Sequence, residues 1–221
     1  MKNTVLKVLL TAAYLIPVAV YAQPWPGNPT TATFIAKADI DKISATEQSL
    51  AVRDENAKVV DIGDNWSMEL GVIHRASTRN PPAPAAGAGR ANAKKAAPQT
   101  IPCGEAMATP PAGALPGAIT HDNQTEGYYI VSGGGTAFID GHVVNGRHST
   151  ANPDGGPNGP GCGGLAVGSR KVELKVGDVL IVPPGVIHGW ADIPDHVDYL
   201  SFRPSHGVMK NGWVNPTIAS K

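Results

Sequence analysis

Between Gly127 and Arg203 the chain is a succession of short apolar segments, each stopped by Gly, Pro or Asp. GYYIV at 127–131 gives way to Ser132-Gly133-Gly134-Gly135, and TAFID at 136–140 turns on Asp140-Gly141. Lys171–Lys175 turns on Gly177-Asp178, and Val179–Val182 stops at Pro183-Pro184-Gly185. Ile187–Trp190 and His196–Arg203 follow. Segments this short cannot support long amphipathic helices, and their punctuation supplies turn residues at each end. The pattern predicts an all-β, antiparallel sandwich or barrel. Gly (26) and Pro (20) make up about a fifth of the chain, against ~12% in average usage.

Upstream, Ala36–Leu50 reads as a short helix whose end frays from Thr46, and Ala51–Asp61 as a first strand. Trp66–His74 alternates. Trp66, Met68, Leu70, Val72 and His74 share one face, which the pattern assigns to the interior. Two stretches read as long surface loops. Residues 79–117 are rich in Ala and Pro, and 145–170 in Gly, so neither can bury much.

Charge excludes other classes. Eighteen Lys+Arg balance eighteen Asp+Glu, which leaves no basic footprint for nucleic acid and no polybasic patch for an anionic membrane. Hydrophobic residues at 42% are enough for one packed core. Residues 1–22 read as a signal peptide, with Lys2 and Lys7 before an apolar run that closes on Val20-Tyr21-Ala22. The expected mature protein is exported, periplasmic or secreted, and free of the membrane. In an oxidising compartment the two cysteines, Cys103 and Cys162, read as a disulfide or as two free thiols.

Two segments carry chemistry. The first runs from Ile119 through His121 and Glu126 to Gly133; the second is GDVLIVPPGVIHGWAD, 177–192. Together they resemble the two signature motifs of the cupin superfamily. His121, Glu126 and Gly133 match the first, although Ile119 stands where members usually carry another His. Gly177, Pro183, Gly185 and His188 match the second in register, and Asp192 replaces the usual Asn. The resemblance implies a double-stranded β-helix, or jelly-roll, barrel over 59–206. An arm and short helix over 23–58 would precede it, and a tail over 207–221 would follow.

The resemblance further implies that His121, Glu126 and His188 hold one divalent transition metal. Two imidazoles and a carboxylate suit Fe(II), with Mn, Ni, Co or Zn as alternatives. His74, on the face read as inward, is a candidate substitute ligand or a satisfied core residue. Tyr128, Ile130, Trp190, Trp66, Gln124 and Ile119 are candidate pocket residues. Arg203 reads equally as a polar handle or a surface charge. Three functions fit: a non-haem metal-dependent oxygenase acting on a small molecule, aromatic or otherwise; a metal-dependent lyase or isomerase; and a non-catalytic ligand- or sugar-binding barrel. Pairing of two barrels through edge strands is a further expectation from the resemblance.

Overall fold

The structure is a computed structural model that describes residues 29–46, 50–82, 101–149 and 159–219. The stretch read as a signal peptide, residues 83–100 of the Ala/Pro-rich stretch and residues 150–158 of the Gly-rich stretch lie outside the described residues. One helix, α1 (Lys37–Ser44), precedes eleven strands: β1 (Val52–Gly63), β2 (Trp66–Ala76), β3 (Ile101–Cys103), β4 (Leu115–Ile119), β5 (Glu126–Ile139), β6 (His142–Ser149), β7 (Gly161–Val167), β8 (Arg170–Lys175), β9 (Val179–Val182), β10 (His188–Asp192) and β11 (His196–His206).

Strand order runs β1-β2-β11-β5-β10-β4-β7-β6-β3, with β8 and β9 also paired to β5. Every ladder between these strands is antiparallel. The first half of β5 pairs with β9 and β11, and its second half with β8 and β10. That one strand therefore belongs to both walls, and the sheet folds into a double-stranded β-helix.

The alternating pattern resolves into two sides. Inside the barrel, Ile73, Tyr128, Ile130, Ala137, Leu174 and Tyr199 pack into one cluster. Outside, α1 lays Ile43 on Ala57, Leu70 and Val72. Burying a side chain such as Ile43 is worth ~1.5–3 kcal/mol, which accounts for so short a helix holding its place. The tail returns to this outer layer: Val59 N donates to the Trp213 carbonyl at 2.9 Å and Asn215 N to that of Ala57 at 2.9 Å.

Several expectations need correction. The helix ends at Ser44, where Thr46 Oγ1 donates to the Ile43 carbonyl. Ser132–Gly135 does not turn the chain; β5 continues through it. A Cβ at Gly134 would meet the Leu174 carbonyl oxygen at 2.5 Å, and one at Gly135 that of Asp192 at 2.5 Å. The glycines let neighbouring backbone approach a bending strand. Residues 145–170 are not one loop, because β6 extends to Ser149 and β7 begins at Gly161. There too a Cβ at Gly161 would lie 1.9 Å from the Thr120 carbonyl oxygen.

The facing of β2 is also reversed. Ser67, Glu69, Gly71 and Ile73 line the barrel, whereas Leu70 and Val72 lie under α1 and Trp66 and His74 point outward. The apolar parity of β2 is apolar because a helix covers it. The inward parity is polar because it serves a polar site.

Candidate metal centre

Strand registers grade the interior from apolar to polar. Across β2, β11 and β5, Ile73, Tyr199 and Ile130 form one row, followed by Gly71, Ser201 and Tyr128. Glu69 then opposes Arg203, and Ser67 opposes Ser205, which bridges to Gln124. Glu126 enters at the level of Arg203, with Arg203 Nε 2.9 Å from Glu126 Oε1.

His121 and His188 reach Glu126 from the opposite wall. Gly185 lies in the left-handed region (φ 77°), where glycine alone is unstrained. Its N–H donates to the His121 carbonyl at 2.8 Å, so the Pro-Gly turn before β10 is fastened to the segment that carries the other histidine. His121 Nε2 lies 3.6 Å from Glu126 Oε1, and His188 Nε2 lies 3.2 Å from Glu126 Oε2. One ligand atom from each of the three lies within 4.8 Å of the others. All three side chains are buried.

The histidines have no other business there. His188 Nδ1 donates to the Val186 carbonyl at 3.1 Å, which leaves Nε2 with its lone pair facing the carboxylate. Among the described residues, neither His188 Nε2 nor either ring nitrogen of His121 has a hydrogen-bond partner. Buried polar atoms left unpaired are costly. Two imidazole nitrogens and a carboxylate oxygen at this spacing are a donor set that fits a divalent transition metal.

Glu126 is held ionised. Burial pushes its pKa up, but the Arg203 guanidinium first, and then the nearby His121 and His188 rings, more than reverse this, and it stands well below the ordinary carboxylate range. Tyr128 O–H donates to Glu126 Oε2 at 2.5 Å. Burial, and then the Glu126 charge, hold that phenol well above its usual pKa, so it stays a donor. Burial pushes the Glu69 carboxyl up to about 8, against the pull of Arg203. Gln124 Nε2 donates to Glu69 Oε1 at 3.0 Å.

The remaining candidates divide. Ile119 pairs in register with His188. Ile130 and Tyr128 are interior wall, and Trp190 packs near Tyr199, ring centroids 6.0 Å apart. Trp66 stacks edge-on to His206 outside the barrel, at 5.3 Å. His74 does not join the metal group. Its Nδ1 lies 2.6 Å from Asp198 Oδ1, and it lines an outer cavity of about 650 Å³ beside α1. Asp192, at the end of the second motif, pairs with Arg79 at the surface.

Arg203 is no surface charge and no free handle. It is 1% exposed, and it holds Asp54 at 2.7 Å, Asn56 at 3.4 Å and Ser201 at 3.0 Å as well as Glu126. Its parity with Val197 and Tyr199 along β11 was the available signal, and the same reasoning from Ile73 reaches Glu69. Cys103 and Cys162 form a disulfide, with Cα atoms 6.1 Å apart, which ties β3 to β7.

No protein-family description matches the chain, and no curated protein does. Among solved structures, a cupin protein from Bacteroides fragilis is similar at 15% identity, over 70% of this chain and 77% of that one, with a TM-score of 0.30. An uncharacterized conserved protein with a double-stranded β-helix domain from Klebsiella pneumoniae is similar at 14% identity, over 80% and 94%, with a TM-score of 0.32. Peruvianin-I, a cysteine peptidase from Thevetia peruviana latex, is similar at 12% identity, over 84% and 85%, with a TM-score of 0.33. Likeness at that level says nothing of this chain's chemistry, and the fold stands on its own strand registers.

Proposed function

We propose that the chain is a metal-dependent enzyme acting on a small molecule, with His121, Glu126 and His188 holding one divalent transition metal, Fe(II) by preference, and that it works as a non-haem oxygenase. The observation that carries this is the pair of buried imidazoles whose facing nitrogens look onto a buried, ionised carboxylate and have no hydrogen-bond partner among the described residues. A metal so held supplies a Lewis-acidic, redox-capable centre with open positions. The chain's own residues prepare the site. The Val186 carbonyl fixes the His188 tautomer, while Arg203 and Tyr128 orient Glu126 and keep it charged. Ile130 and Tyr199 form the apolar interior beside Tyr128. The Cys103–Cys162 bond supports a place outside the reducing cytoplasm.

One observation favours a second reading. Both Glu126 oxygens already have a partner, Arg203 for Oε1 and Tyr128 for Oε2. The guanidinium can therefore stand in for the metal's charge in a non-catalytic ligand-binding barrel. Elemental analysis of the protein and of His188→Ala separates the two. About one equivalent of iron, manganese or nickel, lost in the variant, supports the enzyme, and oxygen uptake with substrate then separates an oxygenase from a lyase or isomerase. No metal after reconstitution leaves the binding barrel.

A further inference from the structure

From the register of β10, β4, β7 and β6 we infer that the small molecule is a monoanionic carboxylate, gripped by Arg147 at the far end of a glycine-floored trough that starts at His121. The inference rests on the proposed function only for what stands at the near end. His188 pairs with Ile119, Ile119 with Gly163, and Gly163 with Arg147. Residues paired in register project from the same face of a sheet, so Arg147 shares its face with the metal-group histidine. Three strand spacings separate the two backbones, ~14 Å.

Between them on that face stand the Ile119 side chain and then Gly163, which forms the open floor next to Arg147. A cavity of about 180 Å³ lies there, lined by Ile119, His121, Gly161, Gly163, Arg147 and Ser149 among others. That is below the ~300–1,000 Å³ of drug-sized pockets and suits a small ligand. A Cβ at Gly163 would find nothing nearer than 3.6 Å, so nothing in the packing requires glycine there; what its absence of side chain provides is the open floor.

Arg147 makes no side-chain hydrogen bond or ion pair with the described residues, whereas the Asp122 carboxylate near the same rim is taken by His148 Nε2 at 2.7 Å. A guanidinium presents a planar fork that matches a carboxylate two bonds at a time. One cation, unpaired among the described residues, balances one negative charge, which favours a carboxylate over a phosphate dianion.

Calorimetric titration with benzoate, its neutral isostere benzamide and inorganic phosphate, each with and without Mn(II), tests this. The expected result is benzoate binding about tenfold or more tighter than either other probe. Arg147→Gln should erase that preference with metal content and melting temperature unchanged, since the side chain is exposed. Gly163→Ala, which raises the floor by a methyl, should weaken benzoate about tenfold with Arg147 intact. No benzoate binding to the wild type, equal binding of benzoate and benzamide, tighter phosphate, or an unchanged benzoate affinity in Arg147→Gln would each overturn the inference. If Mn(II) does not bind but Arg147 still sets the preference, the metal reading fails and the trough stands. If Mn(II) binds through His188 and the preference is absent, the trough fails alone.

Discussion

Arg203 Nε lies 2.9 Å from Glu126 Oε1, with the arginine side chain 1% and the glutamate 3% exposed. A charge pair so deep is maintained by completeness, since the same guanidinium also holds Asp54, Asn56 and Ser201. Taking both ions out of water costs several kcal/mol each, and the pair is worth its place only while every member is present.

Removing one member therefore exposes the full cost. Arg203→Gln leaves the buried Glu126 and the half-buried Asp54 without their counter-ion and should lower stability by about 3–5 kcal/mol. Urea denaturation checks this. A divalent metal at Glu126 should restore part of the loss, because it binds only the folded state. A loss below 1 kcal/mol would mean that the ion network is not what holds this end of the barrel.

Gly71 gives Arg203 its space. A Cβ there would lie 3.2 Å from Arg203 Cζ and 3.0 Å from Ile73 Cδ1. Gly71→Ala should displace the guanidinium and cost ~1–3 kcal/mol by overpacking. Its damage should be smaller in an Arg203→Gln background, where only the contact with Ile73 remains, so a double-mutant cycle should return a coupling above additivity error.

These residues also mark where the sequence stopped being legible. Turn punctuation and the 177–192 motif lead to an antiparallel barrel, and motif spacing selects His121, Glu126 and His188 as a group. Glu69 and Arg203 escape that reading for one reason. A hydrophobic alternation shows which residues share a face but does not say which face is inside. On β2 the apolar parity is satisfied by Ile43 of α1, and the polar parity turns inward to the site. The Gly-rich stretches mislead for a related reason. Glycine lowers strand propensity, yet at Gly161 and Gly164 neighbouring backbone comes too close for any side chain.

The disulfide closes a long loop. Cys103 and Cys162 are 59 residues apart in sequence, and by loop entropy such a link stabilises by about 4 kcal/mol. Paired Cys103→Ser and Cys162→Ser substitutions, or reduction, should lower the melting temperature by that measure. Among the described residues β3 pairs only with β6, so once the bond to β7 is gone amide exchange should rise there first.

Glu69 should impress a pH dependence on stability opposite in sign to that of Glu126. Its carboxyl stands at about 8 in the folded chain against 4.5 when unconstrained, with burial as the main cause. Between those values the folded state keeps a proton that the unfolded state has released. Stability from this group is therefore full below about pH 4.5 and is lost as pH rises toward 8, at up to ~1.4 kcal/mol per pH unit. Glu126, held low, contributes stability above its ordinary pKa that is lost in acid. Glu69→Gln keeps an acceptor for Gln124 Nε2 and removes the titration. Urea midpoints measured from pH 5 to pH 8.5 should fall in the wild type relative to Glu69→Gln, while both should fall together below pH 4. Parallel profiles across the upper range would show that Glu69 is ionised in the folded barrel and that its neighbours hold a charge the present geometry leaves unpaired.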